Sequence, residues 1–292
     1  MKNRNPYPRK EDGRRMPKSK EIVSDKLRLS ASRCNTYLHC PKSYYWTYEE
    51  KVQAKGVSLP LAVGGITHRL LHQMHIGKLP LDKLKDYDEV VLKHYPHLTK
   101  QEAEQVAHEA MTLFSGYATK FERDPLDVVS SEMHLESDRG KYLLYARLDG
   151  LVRTQDERLW RFETKTTSRI DSAYLSGLKG GIQAGISYIL LKETMPEKVM
   201  GTIYNLIVKT KIPQYERSPI LAEKQLGLMT EEMLEGVCEG IFNKRFFPSM
   251  QCFFYNRSCD FLPLCKNDSK QIREAFFEPR PDVIPISEDE ED

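Results

Sequence analysis

The strongest constraint on the fold comes from two β-forming runs separated by a short polar segment. Residues 142–151 (YLLYARLDGL) are rich in β-formers and carry an Asp-Gly pair near their end. Residues 159–167 (LWRFETKTT) form a second run of the same kind, and residues 154–158 between them are polar. Aromatic and β-branched residues favour strands, so this pattern predicts a β-hairpin.

Three charged residues lie where these two strands end. Residues i and i+2 of a strand share a face, so Glu163 and Lys165 point the same way, and Asp149 on the neighbouring strand can join them. Two carboxylates suit a hard cation such as Mg²⁺, and a lysine can stabilise charge in a transition state. The set predicts metal-assisted attack on a phosphodiester. Taken alone, an Asp in a turn and a solvated Glu–Lys pair explain it more simply.

Length and charge predict one domain between two tails. The chain has 292 residues, of which 40% are hydrophobic, so it can bury a sizeable core. The net charge of +2 excludes a global polycation. Residues 1–26 hold nine Lys or Arg against four Asp or Glu, and the last six residues are Ser-Glu-Asp-Glu-Glu-Asp. We expect a basic disordered tail over 1–27, a single domain over 28–278 and an acidic disordered tail over 279–292.

The hydrophobic pattern predicts helices before, between and after the strands. Upstream of the hairpin it predicts helices over 31–49 with a break at Cys40-Pro41, over 61–76 and over 101–121, and a strand over 127–135. Downstream it predicts a helix over 182–193, a buried strand over 199–210, an edge strand over 215–218 and a helix over 221–244. This order predicts an α/β domain with a helical collar.

The sequence contains no signal peptide and no long apolar run. We therefore expect a soluble cytoplasmic protein with no membrane contact. Six cysteines in an intracellular protein argue against a disulfide framework and favour a metal or cluster site.

Five short motifs follow one another over roughly residues 29–265. They are Cys40 to Tyr45 (CPKSYY), Gly64 to His68 (G-x-x-x-H), Ala146 to Gly150 (ARLDG), Glu163 to Lys165 (E-x-K), and Gln183 with Tyr188. The ordered set resembles the PD-(D/E)XK nuclease superfamily, in particular the branch of the RecB nuclease domain, the CRISPR-adaptation exonucleases and similar phage proteins. The resemblance implies a restriction-endonuclease-like core, with a central mixed β-sheet flanked by helices, a helical N-terminal collar and a Cys-rich C-terminal loop.

The resemblance also implies a role for each motif residue. His68 would complete a metal shell with Asp149 and Glu163, and the Thr164 carbonyl would be a further ligand. Lys165 would be the catalytic lysine. Imidazole suits Mn²⁺ better than Mg²⁺, so we expect Mn²⁺ to support activity at least as well.

Two further residues of the family pattern would contact the DNA strand. These are Gln183 and Tyr188, which here are five residues apart, whereas the family usually has four. Glu132 is the candidate for the family's glutamate before the central Asp, and an exposed strand residue explains it equally well.

The cysteines of the C-terminal segment predict a second metal centre. Cys252, Cys259 and Cys265 are spaced C-x6-C-x5-C, and Cys40 lies in the Cys-Pro motif. Four thiolates fit a 4Fe–4S cluster or a structural Zn²⁺. Iron–sulfur members of the family usually have C-x2-C-x5-C here, so the ligand loop of this chain is longer. The local cysteine pairs typical of zinc sites are missing, which favours iron–sulfur; reduced buried thiols are the remaining alternative.

The function expected from these features is a metal-dependent DNA nuclease, most simply an exonuclease acting on linear or single-stranded ends. Its setting would be DNA recombination, repair or replication in a prokaryote or phage. One alternative is a catalytically inactive DNA-binding or assembly subunit with a nuclease fold; another is a metalloprotein with no nucleic-acid role. The acidic tail could dock a protein partner or be idle.

Overall fold

The computed structural model describes residues 26–56, 58–79, 87–254 and 257–280. Most of both predicted tails lies outside these residues. In chain order the elements are β1 Leu27–Leu29, α1 Ala31–His39, α2 Pro41–Tyr44, a π-helical turn Tyr45–Glu49, β2 Val52–Ala54, α3 Leu59–His75, α4 Tyr87–His94, α5 Lys100–Lys120, β3 Asp127–Asp138, β4 Tyr142–Arg153, β5 Leu159–Thr167, α6 Ser172–Gly180, α7 Ile182–Thr194, β6 Val199–Val208, β7 Gln214–Leu221, α8 Lys224–Phe242, β8 Phe253–Phe254, β9 Arg257–Ser258, α9 Leu262–Lys266, α10 Lys270–Phe276 and β10 Phe277–Pro279.

The predicted hairpin forms the centre of a six-stranded mixed sheet. The strand order is β1-β4-β5-β6-β7, and β3 pairs with β4. Strand β4 is antiparallel to both β3 and β5, and β6 is antiparallel to β7. Strands β5 and β6 are parallel, and the crossover that parallel neighbours require contains α6 and α7.

One compact unit comprises the described residues 26–30, 58–79 and 87–231. In its described part, α3, α4 and α5 enclose an apolar core that includes Ile66, Leu70, Val106 and Phe114, and Ile207 of β6 joins this core from the sheet. Side chains alternate between the faces of a strand, so β5 presents its odd-numbered residues to the opposite face, where α6 and α7 lie.

The other compact unit comprises the described residues 31–56, 232–254 and 257–280. Its described core contains Trp46, Leu264 and Phe277, with Phe261 and Ile272 packed against them. Strands β2 and β10 pair in this unit. The single domain expected over 28–278 stays a prediction.

The structure contains each helix and strand that the sequence pattern predicts, with ends shifted by a few residues, together with short elements that were not predicted. The helix predicted from residue 221 begins at Lys224, because Leu221 still pairs with Gly201 in the sheet. Helix α6 was not predicted; Asp171 caps it by accepting from the Tyr174 N–H at 2.8 Å. Among the described residues, none of the helices is both long and apolar enough to cross a membrane.

Candidate active site

Asp149 lies where the two strands of the hairpin separate. Ladder pairing between β4 and β5 covers Gly150–Arg153 against Leu159–Phe162. Asp149 and Glu163 are therefore the first residues beyond the end of that ladder. The Thr164 backbone N–H donates to Asp149 Oδ2 at 2.7 Å. The carboxylate thus provides an acceptor for a β5 N–H beyond the end of the ladder with β4.

Glu163 is buried and surrounded by donors. Lys165 Nζ donates to Glu163 Oε1 at 2.6 Å and to Gln183 Oε1 at 2.9 Å, and Gln183 Nε2 donates to the same Glu163 oxygen at 2.8 Å. Arg161 donates from Nη2 to the other oxygen, Oε2. The predicted common face of Glu163 and Lys165 is present, and α7 brings Gln183 onto it.

His68 reaches the site from α3 because this helix packs closely on β5. At Gly64, an added Cβ would lie 2.9 Å from Thr166 Oγ1, so only glycine fits this contact without displacement. One turn later on the same helix face, His68 Nδ1 lies 3.4 Å from Asp149 Oδ2. In the G-x-x-x-H motif, Gly64 thus allows α3 to pack closely on β5, and this packing brings His68 to Asp149.

The imidazole and carboxylate shift each other's ionisation. Burial alone would raise the pKa of Asp149, but His68, the Thr164 N–H and the Lys165 cation hold it at about 2. Burial alone would lower the pKa of His68, and the Asp149 and Glu163 carboxylates nevertheless raise it above its ordinary value. The pair therefore favours His68⁺ beside Asp149⁻ in the metal-free protein.

A small cleft opens beside Asp149. Its lining includes His68, His72, Ser131, Glu132 and Asp149. His72 Nδ1 and Ser131 Oγ are 2.7 Å apart. Glu132 has a φ of 51°, which is rare for a non-glycine residue and is concentrated at functional sites. The family glutamate considered from sequence therefore lies at the same cleft as Asp149.

The model for the PD-(D/E)XK nuclease superfamily matches residues 28–266 of this sequence. The chain belongs to the PD-(D/E)XK nuclease superfamily. The predicted fold class is confirmed, since the sheet is mixed and flanked by helices. Membership of this superfamily supports a nuclease, and a nuclease fold implies DNA as the substrate.

The solved structures that match this PD-(D/E)XK chain include the following two. The crystal structure of a "putative exonuclease" from Eubacterium rectale matches with a TM-score of 0.54 at 13% identity, covering 87% of this chain and 94% of that one. The structure of SSO0001 matches with a TM-score of 0.29 at 13% identity, covering 73% and 78%. The first likeness concerns the fold alone, and the second supports no inference. No curated protein matches the sequence.

The residue types at the PD-(D/E)XK site fit a hard divalent cation. Asp149 and Glu163, the first residues beyond the hairpin ladder, supply carboxylate oxygens, and the cleft reaches Asp149. Among the described residues, no group of three or more His, Cys, Asp or Glu is arranged to hold a metal. The observed partners of both carboxylates are donors of the chain itself.

Tyr188 lies in a different environment from Gln183. Its ring packs against Gly227 of α8, where an added Cβ would lie 2.6 Å from the ring. Gln183 instead contacts Glu163 and Lys165. The expected DNA contacts of both residues stay predictions.

Four of the six cysteines share one region of the second unit. The pKa of Cys259 is raised, mainly by burial. The charges of Cys40 and Cys265 also raise it, which shows that both cysteines lie near Cys259. The Cys259 N–H donates to the Cys252 carbonyl at 2.7 Å. These are the four residues expected to bind a cluster, and all six cysteines are free thiols.

The Cys40 sulfur lies in surroundings suited to a thiolate. Burial alone would raise its pKa, but hydrogen bonds from Ser249, Ser43 and Lys42 lower it. The Trp46 indole N–H donates to Cys265 Sγ at 3.4 Å. Hydrogen bonds to sulfur are a common means of tuning metal-bound thiolates.

Sequence interpretation missed Arg161 and His72. Arg161 is two residues before Glu163, so the strand period that linked Glu163 to Lys165 also places Arg161 on that face. His72 is four residues after His68, on the same face of α3. In both cases the spacing in the sequence, two residues on a strand or four on a helix, could have predicted that the residue lies at the site.

Proposed function

We propose that this protein is a metal-dependent DNA nuclease, and specifically an exonuclease that hydrolyses phosphodiester bonds at DNA ends. One observation carries the proposal. Lys165 Nζ donates to Glu163 Oε1 at 2.6 Å, and the Lys165 cation is near enough to Asp149 to help lower the pKa of that carboxyl. A catalytic lysine beside paired carboxylates is the set that phosphodiester hydrolysis requires.

The proposed ligands of Mg²⁺ or Mn²⁺ are Asp149, Glu163, the Thr164 carbonyl and His68. A bound divalent cation would polarise the phosphate and provide a hydroxide at neutral pH. His68 must be neutral to bind a metal, so its proton leaves before it can serve as a ligand.

The remaining site residues would position the reacting groups. Lys165 is the partly exposed cation of the site, and it would stabilise charge on the phosphate or orient the attacking water. Gln183, on α7, would fix the positions of the Lys165 and Glu163 side chains relative to each other through its two hydrogen bonds. We further propose that Gln183 and Tyr188 contact the DNA strand.

We propose a 4Fe–4S cluster bound by Cys40, Cys252, Cys259 and Cys265, with Zn²⁺ as the alternative. The hydrogen bonds to Cys40 and Cys265 and the nearness of Cys259 to both support it. Such a cluster would join the segment around Cys40 to the C-terminal segment, and closing so long a loop restricts the unfolded chain.

The proposed setting is DNA recombination, repair or replication, in the cytoplasm of a prokaryote or as a phage-encoded protein of the RecB-like branch. The motif order from Cys40 to Cys265 supports this assignment. The acidic C-terminus is the proposed docking segment for a protein partner.

A second candidate function is a DNA-binding subunit that no longer cleaves. The observation in its favour is that donors of the chain bind both oxygens of Glu163. Retention of Asp149, Glu163 and Lys165 together argues against it, because binding alone requires none of the three.

Digestion of matched DNA substrates tests both candidates. End-labelled linear DNA and closed circular DNA of the same sequence are incubated with Mg²⁺, Mn²⁺ or EDTA. We expect metal-dependent loss of the linear DNA while the circle survives. Cutting of the circle would contradict the exonuclease assignment, and metal-independent binding without any cleavage would support the DNA-binding subunit.

A further inference from the structure

Strand β5 carries a third charged residue on the face that bears Glu163 and Lys165. Arg161, Glu163 and Lys165 occupy every second position of the strand, so all three lie on the face that is turned toward α6 and α7. The Arg161 side chain is only 1% exposed and that of Glu163 is 3% exposed, whereas that of Lys165 is 27% exposed. Arg161 is therefore a cation on the inner side of Glu163, and Lys165 is a cation on its outer side.

The two cations and Gln183 divide the oxygens of Glu163 between them. Arg161 Nη2 binds Oε2, while Lys165 and Gln183 both bind Oε1. A carboxylate has about four acceptor positions, so Oε1 is fully used and Oε2 keeps one position. Because opposite oxygens are held from opposite sides, the carboxylate plane is fixed before any cation arrives.

Fold stability alone gives no reason for a buried arginine here. Among the described residues, Arg161 Nε and Nη1 are buried without a hydrogen bond of ordinary geometry, and the Tyr204 hydroxyl is the polar group that the guanidinium meets besides Glu163. Buried donors without acceptors are unfavourable, and well-packed apolar residues often replace a buried ion pair with no loss of stability. The arginine is therefore better explained by what it does to Glu163 than by what it adds to the core.

We propose that Arg161 is a positioning residue, which fixes the Glu163 carboxylate in the orientation that binds the divalent cation. The inference rests on the proposed function, since it concerns one of the proposed metal ligands. Arg161 itself is buried below the site and reaches neither the metal nor the DNA; it acts through Glu163.

The test is to measure Mn²⁺ binding to the DNA-free protein by titration calorimetry. Arg161→Met removes the charge at similar length, and Arg161→Lys keeps a cation. We expect Arg161→Met to weaken Mn²⁺ binding about tenfold or more, in the range found when residues that orient metal ligands are changed. Arg161→Lys is expected to recover at least half of that loss on a logarithmic scale.

The matched control is Arg217→Met. Arg217 is also largely buried and binds both oxygens of Asp124, but it contacts none of the proposed metal ligands. This variant is expected to bind Mn²⁺ as the unchanged protein does. If Arg161→Met does not fold, Arg161→Gln replaces it with the same expected loss, because the shorter neutral amide cannot hold Oε2 as the guanidinium does.

The outcomes separate this inference from the proposed function. Normal Mn²⁺ binding by both the unchanged protein and the neutral Arg161 variant would overturn the positioning role alone. Tighter binding by the neutral variant would also overturn it and would make Arg161 a competitor of the metal. Absence of Mn²⁺ binding by the unchanged protein would overturn the proposed metal site and this inference together.

Discussion

The backbone N–H of Thr164 donates to Asp149 Oδ2 at 2.7 Å, at the point where strands β4 and β5 part. This hydrogen bond joins the strand that supplies the central aspartate to the strand that supplies Glu163 and Lys165. The hydrogen bond therefore fixes the Asp149 carboxylate against the strand that carries Glu163 and Lys165.

Gln183 is predicted to be required for cleavage through its contacts with Lys165 and Glu163. Gln183→Leu keeps a side chain of similar volume but removes one donor and one acceptor. We expect cleavage to fall about 10–100-fold while far-UV circular dichroism stays unchanged. Lys192→Leu, on the same helix, is the control for a polar-to-apolar change, and equal activity of the two variants would contradict the role of Gln183.

Gly64 is predicted to be required for the close approach of α3 to β5. A Cβ in Gly64→Ala would meet Thr166 Oγ1 at 2.9 Å, and overpacking of this kind costs about 1–3 kcal/mol. His68 would be displaced from Asp149, so both the free energy of unfolding and the cleavage rate should fall.

Gly177→Ala is the control for the Gly64 prediction, because its added methyl group meets nothing within 4 Å. There alanine should stabilise the helix by about 0.5–1 kcal/mol. Adding Thr166→Ala to Gly64→Ala should restore part of the lost activity. Full activity of Gly64→Ala alone would show that α3 has room to adjust.

The His68–Asp149 pair is predicted to make stability depend on pH. The folded-state pKa of His68 is raised, so its contribution is fully present below the unfolded value of about 6.5 and is lost as the pH rises through the folded pKa. The pKa of Asp149 is lowered to about 2, so Asp149 stays ionised across this window. Asp149→Asn should therefore destabilise the metal-free protein more at about pH 6 than at about pH 9.

Urea unfolding in EDTA at the two pH values measures this difference. Asp156→Asn is the control, because Asp156 is an exposed residue whose partners are Thr154 and Arg158. It should show no such pH dependence. An equal loss of stability for Asp149→Asn at both pH values would contradict the ion pair.

The cysteine region is predicted to bind iron through Cys40 and Cys259. After anaerobic purification, Cys40→Ser and Cys259→Ser should each lose most of the bound iron and the brown colour. Cys34→Ser should keep both, since Cys34 is a buried thiol whose pKa burial raises to about 12. Colourless unchanged protein with stoichiometric zinc would contradict the iron–sulfur cluster.

The sequence predicted the hairpin and the face shared by Glu163 and Lys165 because both follow from the two-residue period of a strand. It also predicted most helices, since their apolar residues recur at helical spacing. The start of α8 was misplaced because Leu221 fits either a helix or an edge strand, and only its pairing with Gly201 decides between them.

Other features of the site depend on tertiary contacts that no local pattern encodes. The approach of Gly64 to Thr166 joins residues far apart in the chain. The strained φ of Glu132 and the burial of Arg161 are equally consequences of the assembled sheet. Tyr188 packs on Gly227 because α8 lies beside α7 at this point. The spacing of Tyr188 from Gln183 in the sequence does not reveal that contact.

The most direct test of the nuclease assignment is cleavage of end-labelled linear DNA by Lys165→Met, with Mg²⁺ or Mn²⁺. Glu163 keeps Arg161 and Gln183 as partners in this variant, so the fold should survive. Lys179→Met, which removes the cation of a surface ion pair with Glu223, is the matched control. We predict that Lys179→Met cleaves normally and that Lys165→Met loses cleavage by about 100–1,000-fold, as is found for groups that stabilise transition-state charge. Equal cleavage by both variants would contradict the assignment of Asp149, Glu163 and Lys165 as the active site.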